Sequence, residues 1–201
     1  MSHTRANPLS LLVKLWKDED AEVDAVDCIV PLSYTTLPHT LTRGTKESVL
    51  LAAHYAHLFP DATVVASDSA HTGFPHCADV EYRFKKELFG SIPHIRAGAQ
   101  TNSITEAEAI HAALGYEPKH ILVICGEIHA RSVRWIWRRI FPNTTISIRC
   151  MPYQAEYQKD HPFFIERYAW PWFFAGIARY FLLLIFGLKL RHLQHHAGVR
   201  S

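Results

Sequence analysis

The sequence predicts an α/β domain built on a mostly parallel sheet of about five strands. Short apolar runs alternate with longer stretches of helical spacing between Asp27 and Met151. One of these runs, His120 to Cys125, is continuously apolar after its first residue, the pattern of a central strand buried on both faces. Gly, Pro and Asn punctuate the joints between runs. Alternation of this kind implies right-handed crossovers and a doubly wound sheet.

The first strand is read at Asp27–Ser33, with Pro31 expected to make it irregular because proline donates nothing to a ladder. Arg43 to Leu58 has helical spacing, with Val49, Leu50, Ala53 and His57 on one side, Thr45 near its start and Pro60-Asp61 ending it. Ala62 to Ala66 reads as the second strand, followed by a loop that begins Ser67-Asp68-Ser69 and holds His71, Gly73 and Pro75. A helix follows from Ala78 to Phe89, then a weak third strand from Ile92 to Ala97. Thr101-Asn102-Ser103 leads into a helix from about Ile104 to Leu114, where Thr105 and Glu108 have capping-box spacing. After the strand at His120–Cys125, Gly126-Glu127 turns the chain into a helix from about Ala130 to Phe141, with Val133, Ile136, Trp137 and Ile140 on one face. Thr145 to Met151 alternates as an edge strand should. The organisation expected is an N-terminal segment (1–24), the α/β domain (25–153) and a C-terminal extension (154–201).

That extension differs from the rest. Tyr168 to Phe174 is rich in aromatic residues, and Phe173 to Leu190 is apolar apart from Arg179, Lys189 and small residues. A C-terminal helix packed on the domain is the first expectation. Contact with a membrane surface through residues 168–192 comes second, with Trp170, Trp172, Arg191 and His192 as interfacial anchors. A true span comes third.

A net charge of +2 gives no bulk electrostatic reason to expect nucleic acid as a partner. The four cysteines form no C-x-x-C pair, and Cys28, Cys125 and Cys150 sit in or beside apolar runs, so they read as free buried thiols. Leu9 to Leu15 is interrupted by Lys14 and followed by charges, unlike a signal peptide. Together these give a cytoplasmic expectation, with the inner face of the cytoplasmic membrane as the surface the tail would touch. His71, His76, Cys77 and Asp79 match no common metal-ligand spacing, so no metal is assigned, and no cofactor is identified.

In an open α/β sheet, ligands bind beyond the carboxyl ends of the strands. The residues placed there are Ser33 and Thr35 after the first strand, with Arg43 beyond. Ser67 and Asp68 follow the second strand, Asn102 and Ser103 the third, and Glu127, His129 and Arg131 the fourth. Hydroxyls, an amide, arginines and helix N-terminal amides suit a phosphate or carboxylate. His129 and Glu127 are the proton-transfer candidates, since an imidazole titrates near neutrality with little tuning. A histidine that caps the next helix, or that binds ligand without proton transfer, is the alternative. Glu106 and Glu108 read as a solvated helix face. No G-x-G-x-x-G, Walker A or G-x-S-x-G sequence is present, which disfavours ordinary dinucleotide, P-loop and serine-elbow chemistry.

The ordered set Asp27-Cys-Ile-Val, Arg43, Ser67, Glu81, Gly90-Ser-Ile-Pro93, Asn102-Ser-Ile-Thr-Glu-Ala107 and Leu122-Val-Ile-Cys-Gly-Glu-Ile-His129 with Arg131 resembles the SanA/YdcF/ElyC family of bacterial proteins. The resemblance covers about residues 25 to 152. Pro31-Leu32-Ser33 stands where that family has a glycine-rich loop, and Arg131 falls one position early. The resemblance implies a Rossmann-like three-layer fold and a ligand site at the strand ends, with links to cell-envelope metabolism or nucleotide-like ligands. The function expected is therefore binding of, or action on, a small anionic ligand that is phosphorylated or nucleotide-like. A non-catalytic membrane-associated accessory protein is the alternative, and an S-adenosylmethionine-binding enzyme a weaker one.

Overall fold

The computed structural model describes residues 7–70 and 74–189. In chain order the elements are α1 (Pro8–Trp16), β1 (Cys28–Pro31), β2 (Thr36–Leu37), β3 (Thr40–Leu41), α2 (Arg43–Leu58), β4 (Thr63–Ser69), α3 (Cys77–Phe89), β5 (His94–Gln100), α4 (Ser103–Leu114), β6 (His120–Gly126), α5 (Ala130–Ile140), β7 (Thr145–Met151) and α6 (Ala169–Phe186). The main sheet has five strands, all parallel, in the order β5-β4-β1-β6-β7. Counting only these strands the order is 3-2-1-4-5, the doubly wound arrangement, and the direction of winding reverses between β1 and β6. The remaining pair, β2 and β3, forms a small antiparallel hairpin in the loop after β1.

Two helical layers cover the sheet. On one face Val49, Ala52 and Ala56 of α2 and Phe89 of α3 meet Ile29, Val64, Leu122 and Ile124. On the other, α4 and α5 pack over Val30, Val123 and Cys125, joined by Leu9 and Val13 of α1 and by Trp172, Phe173 and Leu183 of α6. Alternation of side chains along a strand explains this division: Ile29 goes to one face and Val30 to the other. Both the N-terminal segment and the C-terminal extension thus contribute to one core.

Pro31 lies within β1 and is aligned with Ile124 of β6. Leu32 N donates to Ile124 O (3.0 Å), so by alternation the missing donor of Pro31 faces β4. Pairing of β1 with β4 ends at Ile29, so no ladder bond is lost.

Some sequence expectations are corrected. Strand β4 continues through Ser67, Asp68 and Ser69, which the sequence reads as loop. A bulge explains it: the β4–β5 register slips between Ala66 and Ser67, and Gly98 takes φ +84° to accommodate the extra residue. On α2 the buried stripe is Thr45, Ser48, Val49, Ala52 and Ala56, and Leu50 points outward. The side chain that caps α2 is Thr42, which accepts from Thr45 N. On α4 the capping box is Asn102 with Thr105, not Thr105 with Glu108. Strand β7 is an edge strand, as expected, and the four cysteines are free.

Candidate functional site

A cavity of about 680 Å³ opens at the carboxyl edge of the sheet, beside the point where the winding reverses. Its floor is the loop after β1 (Ser33, Tyr34, Thr35), the end of β4 (Ser67, Asp68, Ser69) and the start of α4 (Asn102, Ser103, Glu106). Its roof comes from the C-terminal extension: residues 162–166 and one stripe of α6, Trp172, Ala175, Arg179 and Leu183. These four are three or four residues apart, so a single helical face supplies them. Helix α6 lies close because Gly176 has no side chain; a Cβ there would meet Ile128 Cγ2.

At the centre is a chain of hydrogen bonds. Arg179 NH1 lies 3.0 Å from His129 Nδ1, and His129 Nε2 lies 3.0 Å from Ser103 Oγ. A guanidinium only donates, so Nδ1 accepts and the ring proton sits on Nε2, from which it donates to Ser103. The Ser103 hydroxyl keeps its own proton for a ligand. His129 is buried, with its ring parallel to Trp172 at a centroid distance of 6.4 Å and edge-on to Tyr34 at 6.3 Å. Burial, then the Arg179 charge, holds its pKa well below the usual imidazole value. Neutral His129 positions Arg179 and Ser103; both of its nitrogens are occupied.

Arg179 is half-buried, and its guanidinium also lies over the Trp172 ring at 5.4 Å. Among the described residues no carboxylate comes within ion-pair distance of it. The nearby Glu166 is paired instead with His161 at 2.9 Å. Asn102 caps α4 by accepting from Ile104 N and Thr105 N, which fixes the first turn of the helix and with it Ser103, its first residue.

The floor is acidic. Glu81 and Lys85, one turn apart on α3, form a fully buried pair at 2.7 Å. Glu81 also accepts from Ser33 Oγ and from Ser69 N. Glu106 accepts from Ser67 Oγ and Ser33 N, and burial raises its pKa to about 7. Asp68 accepts from Arg96 Nε (2.6 Å) and lies 3.9 Å from Lys85, yet burial still raises its pKa. Of these carboxyls, Glu106 is held where it can exchange a proton near neutrality.

Of the residues singled out in the sequence, Ser33, Thr35, Ser67, Asp68, Asn102, Ser103 and His129 line this one cavity. Glu127, Arg43 and Arg131 do not. Glu127 accepts from Tyr153 N (3.4 Å) and lies 3.8 Å from Lys17. Arg43 reaches Gln154 O from an exposed position. Arg131 is drawn to α1, where Nε donates to Trp16 O (2.5 Å) and the guanidinium covers the Trp16 ring. His71, Arg191 and His192 lie outside the described residues. Arg179 is a functional candidate that the sequence does not single out, and Glu106, expected on a solvated helix face, is instead 5% exposed on the cavity floor. Arg179 had a signal, a lone arginine in an apolar run. Glu106 had one too, since it shares a helix stripe with Ser103 and Ile110. Among the described residues no three His, Cys, Asp or Glu side chains converge as a metal site.

No family model, curated protein or solved structure matches this chain.

Proposed function

We propose that this chain binds a small ligand through an anionic group seated between Arg179, Ser103 and the amino end of α4. The observation that carries this is the state of Arg179: partly desolvated, oriented by an imidazole and an indole, and without a carboxylate partner. Removing a cation from water without pairing it is costly. A phosphate or carboxylate in the cavity would supply the missing charge, with the Ser103 hydroxyl as a further donor and the positive end of the α4 dipole beside it. Arg179 takes the part expected of Arg43 and Arg131. The SanA/YdcF/ElyC resemblance, and the place in envelope metabolism that it implies, belong to this proposal through Ser67, Asn102, Ser103 and His129, which all line the cavity.

The test is thermal unfolding with increasing inorganic phosphate, for the native chain, Arg179→Ala and Arg131→Ala. At about 100 times the dissociation constant, binding adds roughly 2.7 kcal/mol. The shift is expected in the native chain and Arg131→Ala and absent in Arg179→Ala. An equal shift in all three, or none in any, overturns the proposal.

A second reading is supported by the outer face of α6. Phe174, Phe181 and Ile185 are 60%, 53% and 73% exposed, and with its 3-10 extension the helix reaches 21 residues, long and apolar enough to cross a membrane. A span would pull Arg179 and Trp172 away from the cavity, so contact in the plane of a membrane surface is the compatible form. Flotation with vesicles should then be reduced by Phe181→Asp and Ile185→Asp together; unchanged flotation, or none in the native chain, removes this reading.

A further inference from the structure

The cavity has a second polar end whose chemistry is opposite to the first. Thr35 and Asp68 both line it and are 3% and 1% exposed. Thr35 Oγ1 and Asp68 Oδ1 have no hydrogen-bond partner, and they are the only buried side-chain oxygens in that condition among the described residues. Buried polar atoms in folded proteins are nearly always partnered, so each exception calls for a cause. Thr35 also sits at φ +65°, a conformation that a β-branched residue rarely adopts. Strain of this kind gathers at ligand clamps.

The empty carboxylate oxygen calls for a donor, and the empty Thr35 hydroxyl can accept or donate. A second anion at this end would meet Asp68, Glu81 and Glu106, while the charge of Lys85 is already engaged by Glu81. A cation is disfavoured as well, because Asp68 already has Arg96 at 2.6 Å and Lys85 at 3.9 Å. Neutral hydroxyls fit both constraints. The two ends share α4: Ser103 bonds His129 at the anion end, and Glu106, one turn on, accepts from Ser67 Oγ and Ser33 N, which stand beside Asp68 and two residues before Thr35 in the chain.

We infer that the ligand is a phosphorylated polyol or sugar, its phosphate at Arg179 and Ser103 and its hydroxyls donating to Asp68 and Thr35. This rests on the anion site proposed above.

The experiment is calorimetric titration with inorganic phosphate, glycerol 3-phosphate, ribose 5-phosphate and phosphoethanolamine, on the native chain, Arg179→Ala and Thr35→Val. Thr35→Val keeps the branched shape and removes a hydroxyl that bonds nothing in the folded chain, so it will fold. Two added hydrogen bonds should make the hydroxylated phosphates bind about tenfold or more tighter than inorganic phosphate. Thr35→Val should remove roughly three- to tenfold of that preference and leave inorganic phosphate unchanged. Equal, Arg179-dependent binding of inorganic and hydroxylated phosphates overturns this inference and leaves the anion site standing. Tightest binding of phosphoethanolamine replaces hydroxyls by an ammonium group and also overturns it. Absence of binding by every phosphate overturns both.

Discussion

Two arginines on neighbouring helices show what separates a charge that holds a fold from one that waits for a ligand. Arg134 of α5 is 8% exposed and four of its five N–H donors are used within the chain. Nε bonds Asp18 (2.9 Å), NH1 bonds Ile146 O (3.0 Å), and NH2 bonds Asp20 (2.8 Å) and Asp18 O (3.2 Å). Asp20 also accepts from Ile148 N, so the cluster ties the N-terminal segment to the edge strand β7. Among the described residues the Arg179 guanidinium of α6 makes one hydrogen bond, to an imidazole, and has an indole beneath it. The first closes a circuit of charge; the second leaves one open into a cavity.

The comparison can be broken by mutation. Arg134→Ala strands two carboxylates and two carbonyls and should cost about 3 kcal/mol in urea unfolding, the low end for a buried network because both aspartates are partly exposed. Arg179→Ala strands no carboxylate and should stay within about 1 kcal/mol of the native chain. A loss as large as that of Arg134→Ala would place Arg179 with the structural cluster and undo the contrast.

A buried carboxyl that keeps its proton sharpens it. Glu156 is fully surrounded, accepts from Ile128 N (2.9 Å) and Trp172 Nε1 (3.1 Å), and forms no ion pair among the described residues; burial raises its pKa to about 8. Between its ordinary value of 4.5 and about 8, the folded chain keeps a proton that the unfolded chain has released. Stability should therefore fall as pH rises through that window and level off above it. Glu106 adds the same sign between 4.5 and about 7. Unfolding measured from pH 5 to 9 should show this slope, and Glu156→Gln should flatten it while losing stability at pH 5, where the amide nitrogen cannot accept.

Next in size is Gly126→Ala. A Cβ at Gly126 would fall inside the Glu156 carboxyl, so the residue that anchors α6 through Trp172 would have to move. A cost of about 2 kcal/mol is expected by thermal unfolding. The smallest effect is that of Thr35→Val on stability without ligand, no loss and a gain below about 1 kcal/mol, since an unpartnered buried hydroxyl disappears.

The sequence reading reached the sheet through local patterns. The run His120–Cys125 is apolar because both faces of β6 are covered, and the polar residues after each strand converge because parallel strands end at one edge. What it could not reach was set by tertiary direction. Glu127, His129 and Arg131 are close in sequence, yet only His129 turns into the cavity, since Lys17 and Trp16 of the N-terminal segment draw off the other two. Ser67 and Asp68 looked like loop because the bulge at Gly98, thirty residues on, is what keeps them in the sheet. Arg179 was visible only as an interruption in an apolar run; its role depends on α6 folding back over the strand ends.

The most direct measurement is equilibrium unfolding of Arg179→Leu beside the native chain, each with and without inorganic phosphate. The prediction is a variant at least as stable as the native chain without phosphate and unresponsive to it, while the native chain gains stability. A variant that is strongly destabilised without phosphate, or that gains as much from it as the native chain does, would contradict the account.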